Sequence, residues 1–280
     1  MFPEPFLTRS GHTATRDAAA RVIDQKPVAE GQWQMRVEAP SLAGAFTPGQ
    51  FFMLQIPGRP GEGFFLRRPF APSSYNSDGF SFVYAIRGEG TLRMASLRAG
   101  DELRVLAPLG RGYAPPPAPE TPAVLVGGGC GLPSMLPLAL ELRSAGHIVY
   151  GIAGAARSGA LPCHGDLTAA GFRKVATDDG SEGIRGTAVD ALRVYLDTPQ
   201  ALASGPPVLY ACGPSGMLRA VAAIARERQL MGQASLEERM ACGTGACLGC
   251  AVAVREPDGQ ERYRRVCRDG PVFSMGDVVW

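Results

Sequence analysis

The feature that most constrains this chain is a group of four cysteines near its C-terminus. Three of them are spaced C-x4-C-x2-C, at Cys242, Cys247 and Cys250, and Cys267 follows after sixteen further residues. With this spacing one short loop supplies three thiolates to a 2Fe–2S cluster, while another segment supplies the fourth. Glycines between the cysteines allow the positive φ angles that a loop needs to wrap around such a cluster. The spacing therefore predicts four metal ligands.

A β-hairpin explains the distance to the fourth cysteine. Residues 251–256 and 261–266 both look like strands, and the Pro-Asp-Gly sequence at 257–259 is typical of a turn. Such a hairpin would place Cys267 beside Cys250. Two other interpretations stay open here. A structural zinc site is one, although zinc sites favour two separated C-x2-C pairs. Disulfides are the other, although they are typical of small secreted domains.

Length and composition fit a globular protein of two or three domains. The chain has 280 residues, of which 45% are hydrophobic and 19% charged, so it can build a substantial core. A net charge of +2 without a basic block argues against a nucleic-acid partner. No run approaches the roughly twenty apolar residues of a membrane span, and the N-terminus lacks the pattern of a secretory signal. Because four of the seven cysteines must be thiolates, we expect a cytoplasmic protein without a membrane partner.

Residues 17–114 are expected to form an antiparallel six-stranded β-barrel, preceded by an N-terminal extension over residues 1–16. Strand-like segments such as 32–37, 51–56 and 80–86 alternate with turn residues. Close and regular spacing of this kind favours a small barrel over βαβ units.

Two details of this region go beyond what a barrel needs. Arg68 and Phe70 are two residues apart, so an extended strand would place a cation and an aromatic ring on one face. Glycines in residues 88–90 precede a predicted helix over 92–97, and exposed backbone N–H groups at a helix start suit phosphate binding. A surface arginine and an ordinary turn would explain the same residues, so that alternative stays open.

A proline-rich segment, residues 115–119, separates the barrel from a predicted α/β domain over residues 120–230. Four apolar strand-like runs follow in this domain: 123–126, 147–153, 173–177 and 208–212. Because helices are predicted between them, the strands are expected to form a parallel sheet, which binds ligands at the C-terminal ends of its strands. The remaining residues, 231–280, are expected to form a small β-rich 2Fe–2S cluster domain.

The first strand of this sheet runs into a glycine turn. Gly127, Gly128, Gly129 and Gly131 stand between that strand and a predicted helix over 135–144. In this order of strand, glycine turn and helix, bare backbone can approach the pyrophosphate of a dinucleotide. The pattern is GGGxG rather than G-x-G-x-x-G, so a tight turn without a ligand remains an alternative.

The barrel motifs resemble those of the ferredoxin–NADP reductase superfamily. The similar segments are Pro48-Gly49-Gln50-Phe51, Arg68-Pro69-Phe70 and Gly88-x-Gly90-Thr91. The resemblance implies FAD contacts at nine positions: Arg68, Pro69, Phe70, Ala71, Val83, Tyr84, Ala85, Gly90 and Thr91. Two positions depart from the superfamily pattern, because Ala71 replaces a hydroxyl residue near the reactive part of the flavin and Ala85 replaces an arginine or lysine. Ser73, Ser74 or a backbone N–H could supply the missing hydrogen bond.

The sheet motifs are similar to the nicotinamide-binding motifs of the same superfamily. The resemblance implies NAD(H) contacts at seven positions: Gly127, Gly128, Gly129, Gly131, Cys212, Gly213 and Pro214. Cys212 would lie beside the nicotinamide, although a buried cysteine at a strand end is the plainer alternative. Arg157 and Ser158 could take the extra phosphate of NADP. No denser basic cluster accompanies them, so the sequence favours NAD(H) as co-substrate.

Residues 19–280 resemble, more narrowly, the electron-transfer subunits of NAD-dependent (B-type) dihydroorotate dehydrogenase. The short spacing to Cys267, the segment 268–273 after it and the segment 178–181 support this resemblance. It implies an oxidoreductase subunit of pyrimidine biosynthesis whose partner is a separate FMN-containing catalytic subunit, in a heterotetramer with two subunits of each kind. Electrons would pass from FMN through the cluster and FAD to NAD+. FAD belongs between the other two because a nicotinamide exchanges a hydride whereas a cluster exchanges single electrons. No catalytic acid–base residue is expected in this chain.

Two alternative functions remain. A subunit of a hydrogenase, a sulfite reductase or a ferredoxin-linked NAD(P)H reductase would share the barrel, the sheet and the cysteines. A non-catalytic, zinc-stapled nucleotide-binding module would use the same cysteines without electron transfer. Arg239, Arg264, Arg265 and Arg268 flank the cysteines and could offset the charge of a cluster, or they could be solvated surface charges. The apolar end, residues 278–280, could face a partner or cover the cluster.

Overall fold

The computed structural model describes residues 14–58 and 66–280, so residues 1–13 of the expected N-terminal extension lie outside the described part. The first sheet is antiparallel and has seven strands, the first of which already begins at Arg16. The elements of this region are β1 (Arg16–Ala29), β2 (Gln32–Glu38), β3 (Phe51–Gln55), β4 (Arg68–Phe70), β5 (Pro72–Tyr75), β6 (Gly79–Ala85), α1 (Glu89–Ala95) and β7 (Glu102–Leu109).

The expected count of six strands is corrected to seven, and the reason lies at Ala71. The strands are hydrogen-bonded in the order β4-β3-β7-β1-β2-β6-β5. The two edge strands, β4 and β5, are consecutive in the chain and are separated by Ala71 alone. One continuous segment therefore leaves β3 at Phe70 and joins β6 at Pro72, which brings the two edges of the sheet together. The change of partner divides a segment that the sequence presents as one strand.

Side chains of β6 point alternately into the barrel and away from it. The rings of Phe82 and Tyr84 are buried in the interior with their centroids 6.0 Å apart, and Phe52 meets Phe82 edge-to-face at 5.1 Å. Because successive strand residues face opposite sides, Val83 and Ala85 point outward. The outward side of β6 contacts two 3₁₀ turns, Gly129–Gly131 and Pro133–Met135, of the second sheet domain.

The second sheet confirms the predicted parallel α/β domain. Its strands are β8 (Ala123–Gly128), β9 (Val149–Ala155), β10 (Phe172–Thr177), β11 (Ile184–Arg185), β12 (Val208–Cys212), β13 (Gly232–Ser235) and β16 (Val272–Ser274), in the order β11-β10-β9-β8-β12-β13-β16. Its helices are α2 (Leu136–Ser144), α3 (His164–Ala170), α4 (Ala188–Leu196), α5 (Pro199–Ala203) and α6 (Ser215–Glu227). All neighbouring strands are parallel except β16, which is antiparallel to β13. The strand order reverses direction at β8, between β9 and β12, which is where such sheets bind ligands. Among the described helices, none has the length and apolar character that crossing a membrane requires.

The sequence analysis expected a separate domain over residues 231–280. In the structure, part of this segment belongs to the second sheet instead. Strand β13 pairs with β12, and β16 pairs with β13, so both belong to the second sheet. The reason is that without β13 the edge of β12 would expose unpaired backbone groups. Between these two strands the chain forms the hairpin of β14 (Ala251–Arg255) and β15 (Glu261–Arg265), followed by the short helix α7 (Val266–Asp269).

The segment that joins the barrel to the second sheet is held by hydrogen bonds at Ala114. The backbone N–H of Ala114 donates to Gln233 Oε1 at 2.8 Å, and Gln233 Nε2 donates back to the Ala114 carbonyl at 2.8 Å. The hydroxyl of Tyr210 donates to the same carbonyl at 3.0 Å. All three residues are buried, so these bonds fix the orientation of the barrel on the sheet.

Helix α4 begins with a reciprocal cap that predicts a pH-dependent stability. Thr187 N–H donates to Asp190 Oδ2 at 2.8 Å, and Asp190 N–H donates to Thr187 Oγ1 at 3.2 Å. The hydrogen bonds from Thr187 lower the pKa of Asp190. We expect Asp190→Asn to lower the free energy of unfolding by about 0.5–1 kcal/mol at neutral pH. Because the folded-state pKa is the lower one, this contribution is complete above the unfolded-state pKa and is lost as the pH falls through the folded-state value. Denaturant unfolding of both proteins at neutral and strongly acidic pH checks this, and an equal difference at both would contradict it.

Candidate functional site

The hairpin brings the fourth cysteine back to the cysteine loop, as the sequence predicts. Cys250 directly precedes β14, and Cys267 follows β15 in helix α7. The Val266 N–H donates to the Cys250 carbonyl at 3.0 Å, and the Cys267 N–H donates to Cys250 Sγ at 3.4 Å. The last strand pair of the hairpin, Ala251 with Arg265, sets this register.

The four thiols come together as two pairs. The side chains of Cys242 and Cys247 contact each other on the outer side of the loop, where Cys247 is exposed. The side chains of Cys250 and Cys267 contact each other beneath them, and each residue is only 2% exposed. Within residues 14–58 and 66–280, no three side chains of His, Cys, Asp or Glu converge on one point as a single metal ion would require. None of the seven cysteines forms a disulfide. Two pairs of thiols match a two-iron cluster better than a mononuclear zinc site.

The chemistry of the loop also fits a cluster. Burial tends to raise the pKa of the Cys242 thiol, but hydrogen bonds from the backbone N–H groups of Cys247 and Thr244 outweigh it and lower the pKa to about 5. Burial and the neighbouring Cys250 thiol raise the pKa of Cys267 to about 12. A metal ion would overcome the second effect, because a coordinating thiol is deprotonated. Gly243 and Gly245 have φ angles of +70° and +87°, which allow the tight curvature of the loop.

The cysteine loop packs directly on the barrel. A Cβ at Gly243 would lie 2.5 Å from Met53 Cγ on β3 and 3.5 Å from Leu109 Cδ1 on β7. Cys250, Cys267, Met53 and Leu109 belong to one buried hydrophobic cluster. Two of the four cysteines therefore share a core with β3 and β7 of the barrel, and β3 pairs with β4, the strand of Arg68 and Phe70.

Two of the flanking arginines are paired with carboxylates. Arg264 Nε donates to Glu256 Oε1 at 2.7 Å, and Arg265 Nε donates to Asp269 Oδ2 at 3.0 Å. Arg265 also reaches the Gly245 carbonyl at 3.3 Å, so it braces the loop in addition to contributing charge.

The apolar C-terminus covers the hairpin. Val279 N–H donates to the carbonyl of Ala253 in β14, and Trp280 Nε1 donates to the Met275 carbonyl at 3.1 Å. This places the tail along β14.

The FAD segments meet at one rim of the barrel. A Cβ at Gly90 would lie 3.1 Å from Arg68 Nε, so the guanidinium on β4 lies over the first turn of α1. Thr91 Oγ1 accepts the N–H groups of Arg87 and Gly88, at 2.9 and 3.2 Å, and thereby holds the glycine loop open before the helix. A cation beside the first turn of a helix suits a pyrophosphate, so these residues fit that part of FAD.

The aromatic residues divide between core and surface. The ring of Phe70 is half-buried and packs 5.2 Å from Phe82 and 6.3 Å from Tyr84. Tyr84 is 1% exposed and its hydroxyl donates to Gln25 Oε1 at 2.7 Å. The expectation that Tyr84 contacts FAD is therefore corrected for its side chain, which lies inside the barrel. Val83 and Ala85 are the β6 residues that face outward.

A buried hydroxyl lies near the position where the superfamily pattern is broken. Ser73 is 3% exposed, and its Oγ has no hydrogen-bond partner among the described residues. It lies two residues after Ala71, at an irregularity in the pairing of β5 with β6. An orphaned buried hydroxyl is costly unless a ligand completes it. Ser73 is thus the better placed of the two serines, since Ser74 is exposed.

The two nucleotide motifs pack against each other at the strand ends. Gly127 pairs in register with Cys212 across β8 and β12. A Cβ at Gly131 would lie 2.8 Å from both the Cys212 carbonyl carbon and the Gly213 nitrogen. Gly128 is enclosed by Met217 and Pro214. Packing inside the protein explains these glycines, whereas Gly129, with a φ of +55° and nothing near its missing Cβ, leaves the turn open.

We expect Gly131→Ala to weaken both folding and nucleotide binding. Its methyl group would collide with the backbone of the 212–213 strand end and push the two motifs apart, which should cost roughly 1–3 kcal/mol of unfolding free energy. Gly165→Ala in α3 is the matched control, because nothing lies within 4 Å of that Cβ position. Denaturant unfolding and NADH binding by calorimetry measure both effects. Equal behaviour of the two variants would contradict this packing argument.

Cys212 lies in a polar corner that the sequence analysis did not foresee. Ser134 Oγ lies 3.3 Å from Cys212 Sγ. Burial, and then the charge of Glu237, raise the pKa of Cys212 to about 12, so the thiol is neutral. Glu237 lies just beyond β13 between the two domains, and partial loss of hydration raises its pKa while the charge of Arg87 opposes this. Only the packing of the two domains brings these residues together, and no motif around Glu237 indicates it.

Two cavities of about 630 and 300 Å³ lie elsewhere on the barrel. The larger is lined by residues of β2, β5 and β6, and the smaller by Lys26 and the start of α3. Neither includes a residue of the FAD or NAD motifs. The FAD and NAD motifs lie instead along the contact between the barrel and the second sheet.

The comparison with known proteins separates the remaining alternatives. A family model described as the iron–sulfur cluster binding domain of dihydroorotate dehydrogenase B matches residues 237–279, which include all four paired cysteines. The dihydroorotate dehydrogenase B (NAD(+)) electron transfer subunit of Geobacillus thermodenitrificans is 36% identical over 261 residues, covering 92% of this chain and 96% of that protein. The chain belongs to this family. The dihydroorotate dehydrogenase B electron transfer subunit of Caldanaerobacter subterraneus is 33% identical and covers 93% of the chain and 98% of its own length.

The fold agrees with this membership. A solved NADH-dependent reduced ferredoxin–NADP oxidoreductase is similar with a TM-score of 0.81 and 26% identity, over 93% of this chain and 89% of that one. The matched segment, residues 237–279, holds the paired cysteines, and its family model is one of iron–sulfur binding rather than of zinc binding. The resemblance drawn from the sequence motifs is confirmed.

Proposed function

We propose that this chain transfers electrons between NAD(H) and an FMN-containing dihydroorotate dehydrogenase catalytic subunit, through FAD and a 2Fe–2S cluster. The observation that supports this most strongly is that the four cysteines form two pairs, on a loop that packs against the barrel. The chain matches the family over 92% of its length. FAD, when bound, exchanges electrons in pairs with a nicotinamide and singly with a cluster. The residues of this chain hold the two cofactors close together, position the nicotinamide and bind the partner.

The first task is to hold the two cofactors close together. We assign the cluster to Cys242, Cys247, Cys250 and Cys267, on a loop whose Gly243 touches Met53 of β3. We assign FAD to the barrel, residues 17–114, with these contacts: Arg68, Pro69, Phe70, Ala71, Val83, Ala85, Gly90, Thr91 and the backbone of Tyr84. The cysteine loop packs on β3, and β3 is paired with β4, so this packing keeps the distance between the two cofactors fixed during turnover.

The second task is to position the nicotinamide. We assign NAD(H) to the sheet, residues 120–230, with these contacts: Gly127, Gly128, Gly129, Gly131, Cys212, Gly213 and Pro214. A neutral Cys212 thiol beside the ring adds no charge that would oppose hydride transfer. Its contact with Ser134 keeps the thiol in one orientation.

The third task is to meet the partner. Cys247 and Leu248 are exposed at the cysteine loop, and Tyr263 on the hairpin is 80% exposed. Exposed apolar side chains around a redox centre suit a docking surface. We place the FMN subunit there, in a heterotetramer with two subunits of each kind, and we place the complex in the cytoplasm, where thiols stay reduced.

The test combines the purified chain with the purified catalytic subunit under anaerobic conditions. Dihydroorotate should reduce NAD+ when both subunits are present and should fail to do so when either is left out. If dihydroorotate with the partner leaves the flavin oxidised while NADH bleaches it, the assigned partner is wrong.

A second function is favoured by the structural similarity alone. The solved structure with a TM-score of 0.81 is an NADH-dependent reduced ferredoxin–NADP oxidoreductase. In that case reduced ferredoxin, rather than dihydroorotate with its FMN subunit, would bleach the flavin of this chain, and the same anaerobic experiment separates the two.

A further inference from the structure

The adenosine end of the nucleotide site is formed by the loops after β9 and β10. In parallel sheets of this kind the ribose of a dinucleotide lies beyond the end of the second strand, where an acidic residue favours NAD and an arginine accommodates the 2′-phosphate of NADP. Here β9 is the second strand, and the loops after β9 and β10 contact each other. Ser158 N–H donates to Ser181 Oγ at 2.8 Å, and Asp178 N–H donates to the Ala155 carbonyl at 3.2 Å.

An arginine is present at this position, but the barrel neutralises it. Arg157 Nε donates to Glu30 Oε2 at 2.7 Å, and Glu30 lies in the turn between β1 and β2. The Glu30 N–H donates to the Gly159 carbonyl at 2.8 Å, and a Cβ at Gly159 would collide with Glu30 Oε1. Glu30 belongs to the barrel domain. Its carboxylate is therefore held against the loop after β9 by a backbone hydrogen bond as well as by charge.

Two carboxylates act on the charge of Arg157. Glu30 and Asp179 raise the pKa of the Arg157 guanidinium, first through the hydrogen bond that Arg157 donates to Glu30 and then through the charges of both carboxylates. Asp178 is exposed beside Asp179. A phosphate monoester adds about −1.5 to −2 charges at neutral pH, so a 2′-phosphate at Arg157 would be repelled by the carboxylates of Glu30 and Asp179.

We propose that Glu30 is the specificity-determining residue by which this chain takes NAD(H) and rejects NADP(H). This rests on the proposed function in so far as the sheet binds a nicotinamide dinucleotide. Glu30 acts from the flavin domain on a co-substrate bound by the other domain. It occupies the guanidinium that would otherwise bind the 2′-phosphate and repels that phosphate. Adenosine with a free 2′-hydroxyl carries no such charge and is unaffected.

The experiment uses the full-length holoprotein and two fragments of the dinucleotides as probes, 5′-AMP and adenosine 2′,5′-bisphosphate. Binding is measured by titration calorimetry at low ionic strength, where charge effects are least screened. The variant Glu30→Gln keeps the size and hydrogen-bonding capacity of the side chain and removes only its charge. Glu38→Gln is the matched control, because Glu38 is an exposed carboxylate at the far end of β2.

Wild type and Glu38→Gln should bind 5′-AMP at least about tenfold more tightly than the bisphosphate. Glu30→Gln should bind the bisphosphate about tenfold more tightly than wild type does, with 5′-AMP affinity unchanged. The added change Arg157→Ala should abolish that gain. The unchanged 5′-AMP affinity serves as the check that Glu30→Gln is folded.

Two results would overturn the proposal, and they have different meanings. If 5′-AMP binds and Glu30→Gln leaves the ratio of the two affinities as in wild type, Glu30 does not set the preference, while the nucleotide site stands. If neither probe binds to wild type, the assignment of the sheet to a dinucleotide fails together with the role of Glu30.

Discussion

A Cys267→Ser variant should be purified with almost no iron, whereas wild type should contain about two iron atoms per chain. Cys267 is one of the two buried thiols in the group of four, and its side chain contacts Cys250. A serine hydroxyl at this place would not provide the thiolate that the inner pair needs. We therefore expect the absorption of the cluster to disappear and electron transfer to the catalytic subunit to fall at least about 100-fold, which is the upper end of what loss of a mere supporting contact would cause. Iron analysis and the visible spectrum measure the result.

The control for this prediction is Cys130→Ser. Cys130 lies in the glycine turn, where its Sγ approaches Gln32 Oε1 at 3.5 Å, remote from the cysteine loop in the chain. This variant should retain both iron atoms. Cys267→Ser should also lower the midpoint of thermal unfolding, because metal binding contributes directly to folding free energy. A Cys267→Ser protein with its full content of iron would show that the fourth ligand has been misassigned.

The second large effect is expected at Arg68, whose guanidinium lies over the start of α1 at Gly90. Removing a charge-assisted hydrogen bond to a pyrophosphate costs about 1.5–3 kcal/mol. Arg68→Ala should therefore weaken FAD binding by roughly 10- to 150-fold. Much of this protein should be purified without flavin. Titration of the apoprotein with FAD, followed by flavin fluorescence, gives the two dissociation constants.

Arg93→Ala is the matched control for Arg68. Arg93 lies in the last turn of the same helix. Its Nε donates to the Pro57 carbonyl at 3.3 Å, and its Nη1 donates to Ser96 Oγ at 3.3 Å. Its loss changes the charge of the barrel by the same amount at the opposite end of α1. If both variants lose FAD equally, general electrostatics rather than the placement of Arg68 governs flavin binding.

Local patterns predicted the parts of this fold that depend on short stretches of chain. The hairpin from β14 to β15 could be placed because a turn sequence lies halfway between two cysteines, and the register of a hairpin follows from its turn. The strand, glycine turn and helix from 123 to 144 were predicted for the same reason: each signal lies within a few residues of the next.

Non-local pairing is what the sequence could not show. Strands β13 and β16 are separated by 36 residues, and nothing in either indicates that both extend the nucleotide sheet. The barrel segment is divided at Ala71 because its first half, β4, pairs with β3 and its second half, β5, pairs with β6. Tyr84 was misjudged because the motif identifies a strand and not which of its faces is buried.

The site shows the same limit. The spacing of the four cysteines is specific enough to predict a cluster site, and the return of Cys267 to Cys250 was predicted from it. The glycines of 127–131, in contrast, could equally serve packing or a ligand. Glu30 and Arg157 are 127 residues apart and meet only after the barrel has packed on the sheet. Glu237 likewise acquires its charged and thiol neighbours from two distant places in the chain, Arg87 before α1 and Cys212 at the end of β12.

The central claim is that electrons from NADH reach the cluster of this chain through a flavin. The most direct measurement adds NADH to the isolated chain without oxygen and records the visible and electron paramagnetic resonance spectra together. We expect the flavin to bleach, and a signal of a reduced 2Fe–2S cluster to appear and to grow to about one spin per chain. If NADH bleaches the flavin while the cluster stays oxidised, although dithionite can reduce it, the two centres are not connected and the account is wrong.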